Sequence, residues 1–427
     1  MTLTRRELMA GAGALALGTA APPARARSAN ERLNIAMVGT ANQARFSMDN
    51  VRTEEIVALC DVDENYLAAA ARDYPKAALY RDFRRMMERR DIDAVIVATP
   101  DHIHAPATLA ALETGRHVYC EKPLTHTVAE ARKVAEAARR HGRATQMGTQ
   151  IHAGENYRRV VEIVQSGAIG PVREVHCWVG KVWSGSGVVD NPPVPRHLHW
   201  DLWLGPAPER PYSPAYHPGG WRGFWDFGGG TLADMGCHHM DLPFWALGLR
   251  HPVTVEAAGS PYSWDMAARW LEVRYEFPAR GAQPPVRLTW HDGGRRPPQF
   301  AEGLLPQWGD GTLFIGERGM LLADYGRYRL LPEKEFADHQ PPPPTIPRSI
   351  GHHAEWIRAC KTGEPTTCNF DYAGALTEAV LLGAVAYRTG QRLEWDPVSL
   401  RCPNCPDADA YLRKAYRHGW ELSLQSP

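Results

Sequence analysis

Short apolar segments alternate with helical segments through residues 33–150, and this alternation constrains the fold more than any other feature of the chain. The pattern predicts strands at 33–39, 56–60, 93–99, 117–120 and 145–150, and helices at 64–73, 81–90 and 104–114. Strands that alternate with helices at this spacing form a parallel sheet with helices on both faces. We therefore expect a doubly wound α/β domain over residues 32–150.

The loop after the first strand is similar to G-x-G-x-x-G, the phosphate-binding fingerprint of dinucleotide-binding, or Rossmann, domains. It consists of Gly39, Thr40, Ala41, Asn42, Gln43 and Ala44. Ala41 stands where a second glycine would let the pyrophosphate come close, so the motif is imperfect. Asp61 follows the second strand, where a carboxylate binds the adenosine ribose and repels a 2′-phosphate. We expect a Rossmann domain that binds NAD, with NADP disfavoured; the alternative for Asp61 is a helix cap.

The strand at 117–120 runs directly into Glu121-Lys122-Pro123. Ligands of doubly wound sheets bind at the carboxyl ends of the strands, so Lys122 should lie in the binding cleft. A partly desolvated ammonium can stabilise a developing alkoxide. The alternative is an exposed lysine at a surface turn.

Beyond residue 150 the alternation gives way to a series of strand-like runs. These runs are 172–179, 253–258, 270–277, 286–291, 312–315 and 319–323. They suit a mostly antiparallel sheet that is open on one face. Helices are predicted at 155–166, 352–361 and 372–389. We expect a C-terminal α/β domain over residues 151–390, for substrate binding and oligomerisation, and an extension over 391–427.

A glycine run, Gly228–Gly230, opens a helix that carries several polar residues. Asp234, His238 and Asp241 are spaced i, i+4 and i+7, so they are expected to share one helix face. A carboxylate one turn before an imidazole can orient the ring and raise its basicity, as a general base requires. The alternatives are a capping aspartate and a satisfied core histidine.

Tryptophans crowd the segment before the glycine run. They are Trp178, Trp183, Trp200, Trp203, Trp221 and Trp225. Aromatic faces suit the C–H faces of sugar rings, while polar side chains such as Arg222 bind hydroxyls at the ring edge. The alternative for each tryptophan is packing of a loop-rich segment.

The eight cysteines do not form a disulfide scaffold in a chain of this length. Cys402 and Cys405 are the one close pair, and a disulfide and two free thiols both remain open. A metal site made of Cys237, His238 and His239 is disfavoured, because adjacent side chains diverge on a helix. No metal is expected.

Residues 1–26 are predicted to be a twin-arginine signal peptide, with Arg5-Arg6 inside Thr4–Met9. Its apolar stretch is too short for an ordinary transmembrane helix, so no stable membrane anchor is expected. Lys+Arg and Asp+Glu both total 48, which gives no basic face for nucleic acid. We expect a periplasmic protein. Because no soluble cofactor pool exists there, its cofactor should stay bound and be restored in place.

Four segments together resemble the Gfo/Idh/MocA oxidoreductase family. They are Ala98–His104, Glu121–Pro123, Ser166–Gly170 and Gly230–His238. The resemblance implies bound NAD(P) and hydride transfer at a carbinol carbon of a sugar or cyclitol. It also implies that Lys122 binds the reacting hydroxyl, that His238 is the base with Asp234 as its orienting partner, and that Pro123 follows a cis peptide bond.

The resemblance and the strand ends together give a set of expected contacts. For the cofactor they are Gly39, Thr40, Ala41, Asn42, Gln43, Asp61, Thr99, Pro100, His102, His104, Glu121 and Lys122. For the substrate they are Gln150, Trp221, Arg222 and Asp241.

The first hypothesis for the function is an oxidoreductase of a carbohydrate or polyol, assembled as a homodimer or homotetramer. The others are a glycosidase or lyase that oxidises C3, eliminates the anomeric substituent and is reduced again, and a non-catalytic sugar-binding relic.

Overall fold

The computed structural model describes residues 31–185 and 190–421. The predicted signal peptide, residues 1–26, and the last residues of the C-terminal extension lie outside these ranges. No helix within them is long and apolar enough to cross a membrane. All eight cysteines lie within them and are free, so Cys402 and Cys405 form no disulfide.

The first domain is built on a sheet of six parallel strands. The strands are β1 (Asn34–Val38), β2 (Glu55–Cys60), β3 (Ala78–Tyr80), β4 (Ala94–Val97), β5 (His117–Cys120) and β6 (Thr145–Met147). Their order is β3-β2-β1-β4-β5-β6. This order reverses direction between β1 and β4, so the predicted doubly wound sheet is confirmed.

The register brings the strand ends together. Val38 pairs with both Cys60 and Val97, and Cys120 pairs with both Val97 and Met147. The residues that follow β1, β2, β4, β5 and β6 therefore lie along one edge of the sheet. This edge is where the chemistry was expected.

Five helices cover the faces of this sheet. They are α1 (Gln43–Asn50), α2 (Glu64–Asp73), α3 (Phe83–Met86), α4 (Asp101–Glu113) and α5 (Val128–His141). The helix expected at 81–90 is only one turn long. Asp82 caps its start, and the chain turns after Met87, where Arg89 pairs with Asp91.

The second domain carries an eight-stranded sheet in the order β13-β12-β11-β7-β10-β9-β8-β14. The strands are β7 (Val172–Trp178), β8 (Thr254–Gly259), β9 (Leu271–Phe277), β10 (Val286–His291), β11 (Gly311–Gly316), β12 (Gly319–Ala323), β13 (Tyr328–Leu331) and β14 (Leu393–Glu394). Only β7 and β10 pair in parallel, so the expected mostly antiparallel sheet is confirmed.

The helices of the second half also join the two sheets. They are α6 (Glu155–Gln165), α7 (Trp200–Leu204), α8 (Gly230–His239), α9 (Asp241–Leu247), α10 (His352–Thr362), α11 (Phe370–Thr389) and α12 (Asp409–Leu412). The long helix α11 packs against α5 of the first domain and against α8 and β8 of the second. Trp356 of α10 is fully buried in the first domain's core, beside Ile35 and Ile96. Apolar burial thus ties distant parts of the chain to the first sheet.

Replacing Gly39 with alanine is expected to destabilise the first domain strongly. Gly39 has a φ of +89°, and an added Cβ would overlap the carbonyl oxygen of Ala98. We expect urea denaturation to show a loss of about 3 kcal/mol or more in the free energy of unfolding. Gly142→Ala is the matched control, since Gly142 has a φ of +56° with nothing within 4 Å of the added Cβ. That variant should lose about 1 kcal/mol, and equal losses would contradict the steric explanation.

Candidate active site

A cavity of about 640 Å³ opens along the shared edge of strand ends and is bounded on its other side by α8 and by residues 202–222. Most residues expected at the site line it. They are Gly39, Thr40, Ala41, Asn42, Gln43, Asp61, Thr99, Pro100, Glu121, Lys122, Gln150, Trp221, Arg222, Asp234 and His238. His102, His104 and Asp241 do not line it.

The phosphate loop leaves backbone donors free at the start of α1. The Gly39 N–H donates to Cys60 in the sheet, whereas among the described residues nothing accepts from the N–H groups of Ala41, Asn42 or Gln43. Unpaired N–H groups at a helix N-terminus form an anion-binding site. The Ala41 methyl group therefore leaves a site that fits a dinucleotide pyrophosphate.

Asp61 closes the other side of this loop. One carboxylate oxygen accepts from the Thr40 N–H and hydroxyl, both at 2.9 Å, and the other accepts from the Asp63 N–H at 3.0 Å. Burial raises the pKa of the Asp61 carboxyl, and these hydrogen bonds oppose that rise. A carboxylate has about four lone-pair sites, so capacity remains for ribose hydroxyls. The helix cap considered as an alternative is Asp63 instead, whose side chain accepts from Asn65.

Lys122 and Asp234, from different domains, form a buried ion pair in the cavity. The Lys122 ammonium donates to the Asp234 carboxylate at 2.8 Å and to its backbone carbonyl at 2.7 Å. Burial favours the neutral Asp234 carboxyl, but the Lys122 and Arg222 cations outweigh it and hold the pKa well below its usual range. The Lys122–Pro123 peptide bond is cis, as the resemblance implied.

His238 faces the same cavity, and no carboxylate within the described ranges pairs with its ring. The Asp234 carboxylate accepts from Lys122, Arg222 and Trp183, so the expected Asp234–His238 pair is wrong. The i, i+4 spacing put the carboxylate within reach, but cations from other elements bind it. Burial and the Lys122 charge hold the pKa of His238 well below its usual value. The imidazole is therefore neutral and able to accept a proton.

Glu121 and Gln150 form a hydrogen-bonded wall next to Lys122. The Gln150 amide donates to the Tyr119 hydroxyl at 2.9 Å and to the Glu121 carboxylate at 3.1 Å. Burial raises the pKa of Glu121 to about 7, although the Lys122 charge opposes the rise. The carboxyl is thus only partly ionised at neutral pH.

His102 and His104 support the site instead of binding the cofactor. His102 is fully buried and contacts the Trp203 carbonyl at 2.9 Å. His104 lies between the carbonyls of Pro123 and Thr99, at 2.7 and 2.9 Å. Both residues lie in the first turn of α4, and their side chains are buried in the protein. The prediction that they contact the cofactor is wrong.

Asp241 is also separated from the cavity. Helix α8 ends at His239, and Asp241 begins α9, so the predicted continuous helix face is broken. The Asp241 carboxylate is fully buried and accepts from His152 at 2.9 Å and from the Tyr372 hydroxyl at 2.7 Å. Cys368 lies close enough to complete a group with metal-ligand chemistry, but hydrogen bonds already use the Asp241 oxygens.

Other residues line the cavity that the sequence did not single out. They include Asp101, Lys181, Tyr325 and Trp420. Asp101 follows β4, so the strand-end rule could have found it, whereas Lys181 follows β7 of the mostly antiparallel second sheet, to which that rule does not apply. Tyr325 and Trp420 arrive from distant segments with no local signal. Of the six tryptophans before the glycine run, Trp183, Trp203 and Trp221 line the cavity.

Curated relatives match about a third of the chain. Inositol 2-dehydrogenase of Salmonella typhimurium is 32% identical over 146 residues, 34% of this chain and 43% of that protein. Inositol 2-dehydrogenase/D-chiro-inositol 3-dehydrogenase of Shouchella clausii is 31% identical over 149 residues, 33% of this chain and 43% of that protein. The chain therefore spans less than half the length of these relatives.

Solved structures share the whole fold at low identity. Aldose-aldose oxidoreductase from Caulobacter crescentus, complexed with glycerol, has a TM-score of 0.58 and 19% identity, over 85% of this chain and 100% of that chain. Scyllo-inositol dehydrogenase from Lactobacillus casei, with bound NAD(H) and scyllo-inositol, has a TM-score of 0.56 and 15% identity, over 85% and 99%. These identities support the fold alone.

Two family profiles match consecutive parts of the chain and together cover more than half of it. Residues 33–149 match the NAD-binding Rossmann fold of the oxidoreductase family, and residues 154–283 match its C-terminal alpha/beta domain. The expected cofactor, NAD, agrees with the first match. With the six-stranded sheet and the residues along its edge, these matches establish that the chain belongs to the Gfo/Idh/MocA oxidoreductase family.

Proposed function

We propose that this protein is an exported NAD-dependent oxidoreductase that oxidises a carbohydrate or polyol hydroxyl and keeps its cofactor bound throughout the cycle. One observation carries the proposal. Lys122 and neutral His238, from separate domains, line one cavity, and beside them lies the phosphate-binding loop with its unpaired backbone N–H groups. The names of the inositol dehydrogenase relatives support the substrate class.

The residues divide the chemistry between a proton and an oxygen. His238 accepts the hydroxyl proton, since its imidazole is neutral. The Lys122 ammonium, held by Asp234, stabilises the alkoxide as the proton leaves. When bound, NAD would accept the hydride from the substrate carbon that carries the reacting hydroxyl. The substrate loses two electrons and two hydrogens and becomes a carbonyl compound, and a second carbonyl substrate takes up both in the return half-reaction.

A segment from the second domain supports retention of the cofactor. We call residues 196–228 the strap. It crosses the end of β2, where His199 contacts the Glu64 carboxylate at 2.9 Å and His217 contacts the Asp63 carboxylate at 3.0 Å. The Glu64 N–H also donates to the strap's backbone at 2.9 Å. The adenosine end of the cavity is therefore covered by protein.

The C-terminal extension adds a second cover. Trp420 lines the cavity with its ring 6.0 Å from that of Phe83 and 4.1 Å from the Arg84 guanidinium carbon. Arg84 also donates to the Gly419 carbonyl at 3.2 Å. The extension thus closes the cleft near the position expected for the adenosine.

Purified protein is expected to carry NAD(H) that gel filtration does not remove. Denaturing the protein and assaying the released nucleotide should give close to one NAD(H) per chain. Trp420→Ala should lose nucleotide during filtration, because its aromatic cover is gone. Trp264→Ala, at a side chain 76% exposed, is the matched control and should retain it. Protein without any nucleotide would instead favour the non-catalytic relic.

A second candidate is the redox-assisted glycosidase or lyase, and Asp101 favours it. This carboxyl lines the same cavity, and burial raises its pKa to about 7 against the charges of Arg222 and Lys122. Elimination needs an acid for the leaving group in addition to a base, and a group with this pKa can serve. An aryl glycoside separates the candidates: phenol release without net change in bound NAD(H) requires elimination.

Export and self-association are part of the same proposal. Export rests on the Arg5-Arg6 motif, and blocking the twin-arginine pathway should leave the protein in the cytoplasm. Assembly as a homodimer or homotetramer is proposed through the eight-stranded sheet, in which α11 packs against β8 and β9. Sedimentation of the holoprotein measures it.

A further inference from the structure

We propose that the substrate is a sugar acid whose carboxylate binds between the Arg222 guanidinium and the Lys181 ammonium. The inference rests on the proposed oxidoreductase function and names the class of its substrate. It is carried by the charge and geometry of the cavity wall around Asp234.

Three cationic side chains lie close to one ionised carboxylate, that of Asp234, at this end of the cavity. Lys122 lies 2.8 Å, Arg222 lies 3.1 Å and Lys181 lies 3.9 Å from the Asp234 carboxylate oxygens. Burial raises the pKa of the neighbouring Asp101 and Glu121 carboxyls to about 7, which favours their protonated forms more than in exposed carboxyls. The three cations outnumber the one Asp234 carboxylate that they surround, which leaves positive charge for a bound anion to balance.

The two terminal nitrogens of the Arg222 guanidinium are available to bind a ligand. Its Nε donates to Asp234, and within the described part of the chain no hydrogen bond uses its two terminal nitrogens. The guanidinium carbon lies 4.3 Å from the centre of the Trp221 ring and 5.3 Å from that of Trp183. Held between two aromatic rings, the planar fork matches a carboxylate and makes two parallel hydrogen bonds.

Lys181 is the least neutralised of the three cations. Its side chain is 53% exposed, and its ammonium lies 3.6 Å from the Met235 sulfur, a weak acceptor. Lys122 is already committed to Asp234 and to the reacting oxygen. Lys181 and Arg222 are thus the two cations at this end of the cavity that can bind a substrate anion next to the reacting carbon.

The test compares sugar acids with their neutral counterparts on the nucleotide-bearing protein. The pairs are D-glucuronate with D-glucose and D-galacturonate with D-galactose, with the corresponding sugar 6-phosphates as a third arm, and reduction of bound NAD is followed by absorbance. We expect kcat/KM for at least one acid to exceed that of its neutral partner by roughly 10-fold or more, from one charge-assisted hydrogen-bonded contact.

Lys181→Met should lower that acid-to-neutral ratio by roughly 10- to 100-fold. Lys334→Met, at an exposed lysine of the second domain outside the cavity, should leave the ratio unchanged. Equal turnover of acids and neutral sugars, or a preference for the phosphates, would overturn the carboxylate assignment alone. If no sugar of any class alters the bound nicotinamide, the proposed oxidoreductase function fails and the inference fails with it.

Discussion

Lys122→Ala is expected to lower kcat by roughly 10²- to 10⁴-fold while the protein still folds and still carries its nucleotide. The Lys122 side chain is 14% exposed and its ammonium is the cation closest to the Asp234 carboxylate, so the variant loses the positive charge next to the reacting oxygen. Arg222 and Trp183 still donate to Asp234 in the variant, so the buried carboxylate is not left without partners. Single-turnover reduction of bound NAD by a reactive sugar measures the loss.

Lys76→Ala is the control for this substitution, because Lys76 is exposed and does not line the cavity. It should keep both the activity and the nucleotide. Near-normal kcat in Lys122→Ala would remove the lysine from the mechanism. Loss of nucleotide in that variant would mean that Lys122 binds cofactor instead of stabilising alkoxide.

His238→Ala is expected to lower kcat by roughly 10²- to 10⁴-fold at neutral pH, because the variant lacks the neutral imidazole that accepts the hydroxyl proton. The pKa of His238 is held well below its ordinary value by burial and by Lys122. The active, neutral form therefore prevails at neutral pH and is lost only as the pH falls through the lowered pKa. Any change of rate near pH 7 belongs to Glu121 or Asp101, whose pKa values are about 7.

His141→Ala, at the last residue of α5 and outside the cavity, is the matched control and should match the wild type. The pH profile adds a second readout that a structural role would not alter. A kcat that falls with a midpoint near 6.5 in the wild type, and still does so in both Asp101→Asn and Glu121→Gln, would contradict the neutral base, because the titration would then belong to His238.

The first sheet could be predicted because strands buried on both faces read as apolar runs between helices. The three-residue strand β3 could not be predicted, because its residues are half exposed or exposed and form no apolar run. Gly39, Asp61 and Lys122 were found because each follows a strand, and the register aligns those strand ends.

The partner of Asp234 could not be predicted in the same way. Helical spacing fixes which side chains can meet on one helix, but not which cations arrive from other elements. Lys122 comes from the first domain and Arg222 from the strap, and both compete for the carboxylate. Trp420 reaches the cleft from near the C-terminal end of the described residues, where no strand or helix pattern predicts its position.

The position of His102 has a consequence for how ligands enter and leave. This side chain joins α4 to the strap through the Trp203 carbonyl, and Lys414 of the C-terminal extension donates to its backbone carbonyl at 3.2 Å. With Lys122 bound to Asp234 as well, the two domains are fastened on both flanks of the cavity and resist hinge rotation. Opening the cavity by rotation of one domain against the other would therefore have to break these hydrogen bonds.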